Sequence, residues 1–276
     1  RQGPSKILLK KRSQMQSDKE YFLDVNHSPQ FYNPELPLYP NRLRSGDDES
    51  IAKLSELNSY FAEYFGCQNA SFLDFSSSSI CSFLEEIIPE NTLLAASVKL
   101  PYFCIEGLKL YELKRGKLIW VQAKKSGGLC MDSVLSSKTN GAKLLFCSLV
   151  DEDTFYIENI SAISEFFDAT ECIFDISNAI KKVEIPNFFA AVAWGQKISS
   201  FKNSGIALYN EKKSILLDNI DLVAYSHLFL AFKNLAVFRV KEFRNIFLDE
   251  LTNSLGENIF FFVEPDKCLP NSVCIG

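Results

Sequence analysis

Apolar and polar positions alternate along this chain in short blocks whose period changes from place to place. At 48–65, Ile51, Leu54, Leu57, Phe61, Tyr64 and Phe65 recur at three- and four-residue spacing, which predicts an amphipathic helix. Asp47 or Asp48 stands where an N-cap belongs, and Gly66 where the helix must stop. Short apolar runs predict strands at 71–75, 92–96, 118–121, 144–150, 172–174, 188–194 and 206–209. Helical spacing fills the gaps: Ile80, Phe83, Leu84 and Ile87, then 102–113 and 157–167. This βαβα alternation predicts an α/β fold, a mainly parallel sheet flanked by helices.

The ends of the chain read differently. Residues 1–20 are polar and basic, with Lys6, Lys10, Lys11 and Arg12 clustered, as a solvated arm would be. A strand is predicted at 21–24, and four prolines between Pro29 and Pro40 exclude a regular helix there. Beyond Lys212 the pattern becomes largely helical at 229–255, with an apolar strand at 260–263. The expected organisation is an arm at 1–20, a large α/β domain at 21–225, and the start of a smaller, incomplete C-terminal lobe at 226–276.

The stretch 172–209 concentrates the candidate chemistry. Its first apolar run ends in Asp175, and its second runs into Gly195-Gln196-Lys197. In an open α/β sheet, ligands sit in the crevice at such strand ends. A lysine there can form a Schiff base, and an aspartate facing a pyridinium nitrogen keeps that ring an electron sink. Together they are the minimum apparatus of pyridoxal phosphate chemistry. The plainer reading is a strand-end Asp and a surface Lys after a Gly, both common.

Ser76-Ser77-Ser78-Ser79 follows a predicted strand and opens a predicted helix. Backbone N–H groups, hydroxyls and the positive end of the helix dipole would form an anion site there, and a phosphate fits it. A serine-rich turn with an N-cap reads equally well.

Composition narrows the classes. The 276 residues are 47% hydrophobic, enough for one large core or a core with a small second lobe. A net charge of −5 gives a nucleic-acid role no support. No apolar run approaches the roughly 18 residues of a membrane helix, so no membrane role is expected. The polar, basic N-terminus shows no signal peptide; the chain opens on Arg1, as a processed or partial product would. The eight cysteines are scattered and include no C-x-x-C pair, so buried reduced thiols in a cytosolic protein are expected rather than a zinc site or any other metal.

The order of these parts resembles the class V branch of fold-type I pyridoxal phosphate enzymes, cysteine desulfurases first and phosphoserine aminotransferases second. The resemblance covers roughly 21–209. YFLDVNHSP resembles the desulfurase opening and puts Asn26 near the substrate. FSSSSICSF lies where desulfurases carry a Thr-Ser-Gly-Ala-Thr-Glu phosphate loop, which implies donors from Ser78 and Ser79 without that motif's Gly and Glu. Tyr102 falls at the place of the ring-stacking His or aromatic. SLVDEDTF resembles Val-Asn-Asn-Glu-Thr-Gly, with Asp151 at an Asn position near the phenolic oxygen or the substrate. FDISNA matches Asp-x-x-Gln, with Asp175 against the pyridinium nitrogen and Asn178 near the phenolic oxygen. WGQKISSFKNSGIALY resembles the Ser-Gly-His-Lys segment: Lys197 takes the Schiff-base place, Gln196 replaces the desulfurase His, and Trp194 replaces a phosphate-binding Ser.

The resemblance implies a seven-stranded sheet, pyridoxal 5′-phosphate as cofactor, a small amino-acid substrate, a homodimer and a cytoplasmic setting. In that reading Lys197 and Asp175 carry the catalysis. The small-domain Cys and Arg of the desulfurases are not visible in Cys268, Cys274 or their surroundings. The alternative is a degenerate or truncated member of the fold that serves as a non-catalytic binding or scaffold module.

Overall fold

A computed structural model describes residues 48–74, 76–115, 117–198, 200, 204–211, 221–234, 240–256, 259–270, 272, 273 and 275. The basic arm, the proline-rich segment with Asn26, and Cys274 lie outside the described residues.

Helix α1 (Asp48–Phe65) leads into β1 (Asn69–Asp74), and α2 (Ser77–Ile87) into β2 (Leu94–Ser97). Then come α3 (Tyr102–Arg115), β3 (Leu118–Val121) and a small hairpin, β4 (Ala123–Lys124) with β5 (Gly127–Leu129). Helix α4 (Met131–Thr139), β6 (Leu144–Ser148), the single turn α5 (Ile160–Ile163), β7 (Cys172–Asp175), β8 (Ala190–Trp194) and β9 (Ser204–Tyr209) follow. Two helices, α6 (Leu222–Asn234) and α7 (Val240–Leu255), close the series.

Seven strands form one sheet in the order β1-β9-β8-β7-β6-β2-β3. The neighbours from β3 through β8 pair in parallel, whereas β9 is antiparallel to both β8 and β1. The reversal has a simple cause. A parallel return needs a crossover of a dozen or more residues, and the link from Trp194 to Ser204 is too short for one. Because six of the strands point one way, the ends of β1, β2, β6, β7 and β8 gather at one edge, with the start of β9 among them.

Both faces of the sheet are covered, which is why its strands read as continuous apolar runs. On one face Ile80, Phe83, Leu84 and Ile87 of α2 and Cys104, Leu108 and Tyr111 of α3 pack on Phe146, Ile173, Ala190 and Val192. On the other, Leu57 and Phe61 of α1 and Tyr225, Leu228 and Phe232 of α6 pack on Cys172, Phe174, Ala191 and Ala193. Phe61 lies stacked on Tyr225 and edge-on to Phe232. The alternation along β7 sends Ile173, and with it Asp175, to the α2–α3 face.

Four elements depart from the pattern. The helix expected at 157–167 is only the turn Ile160–Ile163, because Ile157 bridges to Val150 and Asn159 caps the turn through its side chain. The hairpin at 123–129 and helix α4 are additional. The apolar run at 260–263 makes a single bridge, Phe261 to Ile275, instead of a strand. Arg244 of α7, 8% exposed, donates to the carbonyls of Pro265 and Leu269. Leu269 N–H in turn donates to Phe155, which docks this C-terminal segment beside the loop after β6.

Candidate active site

Asp175 ends β7 and is 3% exposed. Its Oδ1 accepts the Ser177 hydroxyl and, at 3.0 Å, the Ser177 N–H. Its Oδ2 receives only a long 3.4 Å contact from the hydroxyl of Ser148, its partner across the β6–β7 ladder. Burial raises the carboxyl to about 6; the two Ser177 hydrogen bonds oppose that, Glu152 adds to it, and Lys197 works against it. The Ser177 hydroxyl also accepts the Trp194 N–H at 3.0 Å, so one small side chain joins the ends of β7 and β8.

Lys197 sits in the 3-10 turn Gly195–Ile198 that leaves β8. Its amine pairs with Glu152 Oε1 at 2.8 Å, the two side chains being 23% and 36% exposed. A Cβ on Gly195 would strike the Ser204 hydroxyl and come within 2.9 Å of the Ser204 carbonyl. The turn that carries Lys197 is therefore pressed against the start of β9, and only glycine allows it.

The acidic triplet after β6 divides its contacts. Asp151, 3% exposed, accepts at Oδ1 from the N–H of Asp153 and from the N–H and hydroxyl of Thr154, while its buried Oδ2 has no hydrogen-bond partner among the described residues. It folds its own loop. Glu152 reaches Lys197. Asp153 pairs with Lys99, in the loop after β2, at 2.9 Å. Three adjacent residues thus splint the loops after β2, β6 and β8.

Ser76 caps α2: its Oγ accepts the Ser79 N–H at 3.2 Å and lies 3.0 and 2.9 Å from the hydroxyls of Ser78 and Ser79. Asp74 pairs with Ser204 and Trp194 with Gly205, so this serine turn and the Lys197 turn leave the same sheet edge two strands apart. Asn178 is buried, 7% exposed, in the turn after Asp175, and Gln196 is half-buried beside Lys197. Tyr102 opens α3 with 77% of its surface exposed. Its neighbour Phe103 meets Trp194 edge-on.

The structure thus brings Asp175, Asn178, Gln196 and Lys197 to neighbouring strand ends, with Ser78 and Ser79 on the same edge. Asp151 turns into its loop, and Tyr102 faces outward. Ser148, Ser177 and Glu152 were not among the residues expected here. The D-x-S spacing of Asp175 and Ser177 is a local signal of a side-chain-capped turn, whereas the Glu152–Lys197 pair is a long-range contact without one. An open cleft of about 280 Å³ lined by Tyr64, Phe65, Lys181, Val183 and Ile185 lies against the α1–α6 layer, away from the Asp175 carboxylate. Among the described residues no helix is long and apolar enough to cross a membrane.

No family model matches the sequence, and no curated protein matches it. Solved structures do. A NifS-like protein is similar at 14% identity with a TM-score of 0.64, over 82% of this chain and 70% of that one. A cysteine desulfurase from Thermococcus onnurineus is similar at 12% identity with a TM-score of 0.60, over 80% and 67%. An alanine–glyoxylate aminotransferase from Nostoc is similar at 12% identity with a TM-score of 0.60, over 81% and 71%. This chain therefore has the mixed α/β architecture that these desulfurases and aminotransferases share, a likeness of fold carried at very low sequence identity.

Proposed function

We propose that the chain binds pyridoxal 5′-phosphate at the shared strand edge and acts on a small amino acid, in the manner of a class V aminotransferase or cysteine desulfurase. The observation that carries this reading is the placement of Asp175 and Lys197 at the ends of adjacent strands, near enough for the lysine to oppose the rise of the buried carboxyl.

The residues fit the group. Asp175 is a buried carboxylate whose Oδ2 has only a weak donor. A protonated ring nitrogen would satisfy it with a charge-assisted hydrogen bond, worth roughly 1.5–3 kcal/mol net. Lys197 would hold the cofactor's carbonyl carbon, and the serine turn at the start of α2 would take the phosphate at the helix N-terminus. When bound, the cofactor supplies an electron sink for charge developing at the substrate's α-carbon.

The remaining work belongs to the chain. Asp175 would keep a proton on the ring nitrogen. The Lys197 amine would be the base that takes and returns the α-proton. Asn178 and Gln196 stand in the turns beside these groups and would face the cofactor's polar edge. Sulfur attack would need a thiolate, and burial pushes the Cys104, Cys147 and Cys172 thiols up, the last to about 12. None of these three buried thiols is suited to that attack. The reading carries with it a homodimer in the cytoplasm.

The test is spectroscopic. Purified protein given pyridoxal phosphate should develop a visible absorbance band that Lys197→Ala removes and Asp175→Ala weakens. A colourless protein that takes up none would overturn the reading. With colour established, sulfide release from cysteine against amino transfer to a keto acid selects the reaction, and light scattering on the eluted peak reads the dimer.

A second reading, a non-catalytic binding module on the same fold, is favoured by one observation: Lys197 is already paired with Glu152, and the Ser76, Ser78 and Ser79 hydroxyls with one another. Uptake of cofactor without turnover of any amino acid would select it.

A further inference from the structure

Glu152 lies outside the set of residues expected from the sequence, yet it pairs with the Lys197 amine. Among the described residues, three charged groups lie within electrostatic reach of that amine. Glu152 comes from the loop after β6, Asp175 from the end of β7, and Lys182 from the turn that follows. Asp175 is fixed in the sheet by Ser177 and Ser148. Lys182 is a cation, its amine pushed down by burial and by Lys197 itself. Glu152 forms a direct ion pair with the Lys197 amine, at 2.8 Å.

An ion pair between two long side chains on a mobile surface usually contributes little, because both chains must be ordered to make it. The backbone beneath Glu152 is not of that kind. On one side Asp151 is buried and ties the loop by three hydrogen bonds to Asp153 and Thr154. On the other Asp153 is anchored to Lys99. Glu152 is therefore presented from a braced loop, and the glycine-dependent turn at 195–198 braces Lys197 in the same way.

Resting on the assignment of Lys197 as the cofactor lysine, we propose that Glu152 is its positioning residue. The carboxylate holds the amine at the strand edge, and any partner of the amine must displace it. Loading of the site is then an exchange in which Glu152 competes, and its carboxylate is left facing the ligand space once the amine has gone.

The experiment compares the unmodified protein with Glu152→Gln, which keeps shape and removes charge. Trace labelling with acetic anhydride at neutral pH, read peptide by peptide by mass spectrometry, should show Lys197 labelled about three- to fivefold faster in the variant. Lys53, paired with Glu56 on α1, serves as the internal standard and should not change. Equal labelling of Lys197 in the two proteins overturns the proposal, as does a general rise at every lysine, which would report unfolding instead of release. The anhydride needs no cofactor, so this arm stands apart from the functional reading. In a second arm, pyridoxal phosphate uptake followed by visible absorbance should be faster in Glu152→Gln. Faster acetylation with no uptake by either protein would sink the functional reading and leave the hold of Glu152 intact. Uptake with equal acetylation would do the reverse.

Discussion

Ser177 donates its hydroxyl to Asp175 and, through the same oxygen, accepts the backbone N–H of Trp194 at 3.0 Å. It is 2% exposed, so neither group has water to fall back on. Ser177→Ala should take the hydroxyl acceptor from the buried Trp194 N–H and leave Asp175 with a weaker hydrogen-bond shell. A loss of about 1–3 kcal/mol is expected in denaturant unfolding. The Asp175 carboxyl should also titrate still higher than it does now, which a pH series of cofactor uptake would register.

Asp175→Asn should separate stability from function. The folded state holds this carboxyl at about 6, above its unfolded value, so the folded protein binds the proton more tightly. Stability from this group is therefore full at low pH and falls as pH rises from about 4 to 6, by roughly 3 kcal/mol for a shift of about two units. The amide carries no charge to bury and can still accept from Ser177. Above pH 6 the cofactor-free variant should melt at a higher temperature than the parent, while its cofactor band weakens. A lower melting temperature at pH 7 would show that the buried charge is compensated by something other than Ser177 and Lys197.

Glu158 repeats the sign at a second place. Burial raises it to about 7; the Leu129 and Asn159 backbone groups and Lys124 oppose this, and Asp151 adds to it. Its contribution is present below the ordinary carboxylate range and is lost between about pH 4.5 and 7, again of order 3 kcal/mol. Glu158→Gln should flatten the dependence of unfolding free energy on pH across that window. An unchanged slope would rule out Glu158 as its source.

Gly195→Ala tests the turn that carries Lys197. The added methyl meets both the side chain and the carbonyl of Ser204, and the carbonyl is backbone that cannot swing aside. A cost of about 1–3 kcal/mol is expected from the forced shift, together with slower capture of pyridoxal phosphate. Gly141→Ala, at a site with open space but φ +93°, serves as a strain-only control for stability.

Much of this architecture is written in local periodicity. The stripe of α1 gives its bounds because Leu57 and Phe61 must be buried and Gly66 lies at φ +65°. Asp175 and Lys197 could be paired from sequence because each closes an apolar run, and parallel strands put such ends side by side. The expected helix at 157–167 shrank for a reason no periodicity shows: Ile157 is claimed by the bridge to Val150, and Glu158 is buried against Leu129. The additional hairpin hides in a short run around Gly127-Gly128 with too few apolar positions to set a period. Glu152 was illegible for a different reason. Its partner is set by how two loops meet in space, and three consecutive acids look alike until the fold gives each a separate task.

That division of labour has a consequence for how the segment can vary. Inserting or deleting one residue at 151–153 would not weaken a single contact; it would hand every contact to the wrong neighbour. Spacing there is a tighter constraint than chemistry, and variants of this chain should tolerate exchanges of side chain in the segment far more readily than any change in its length.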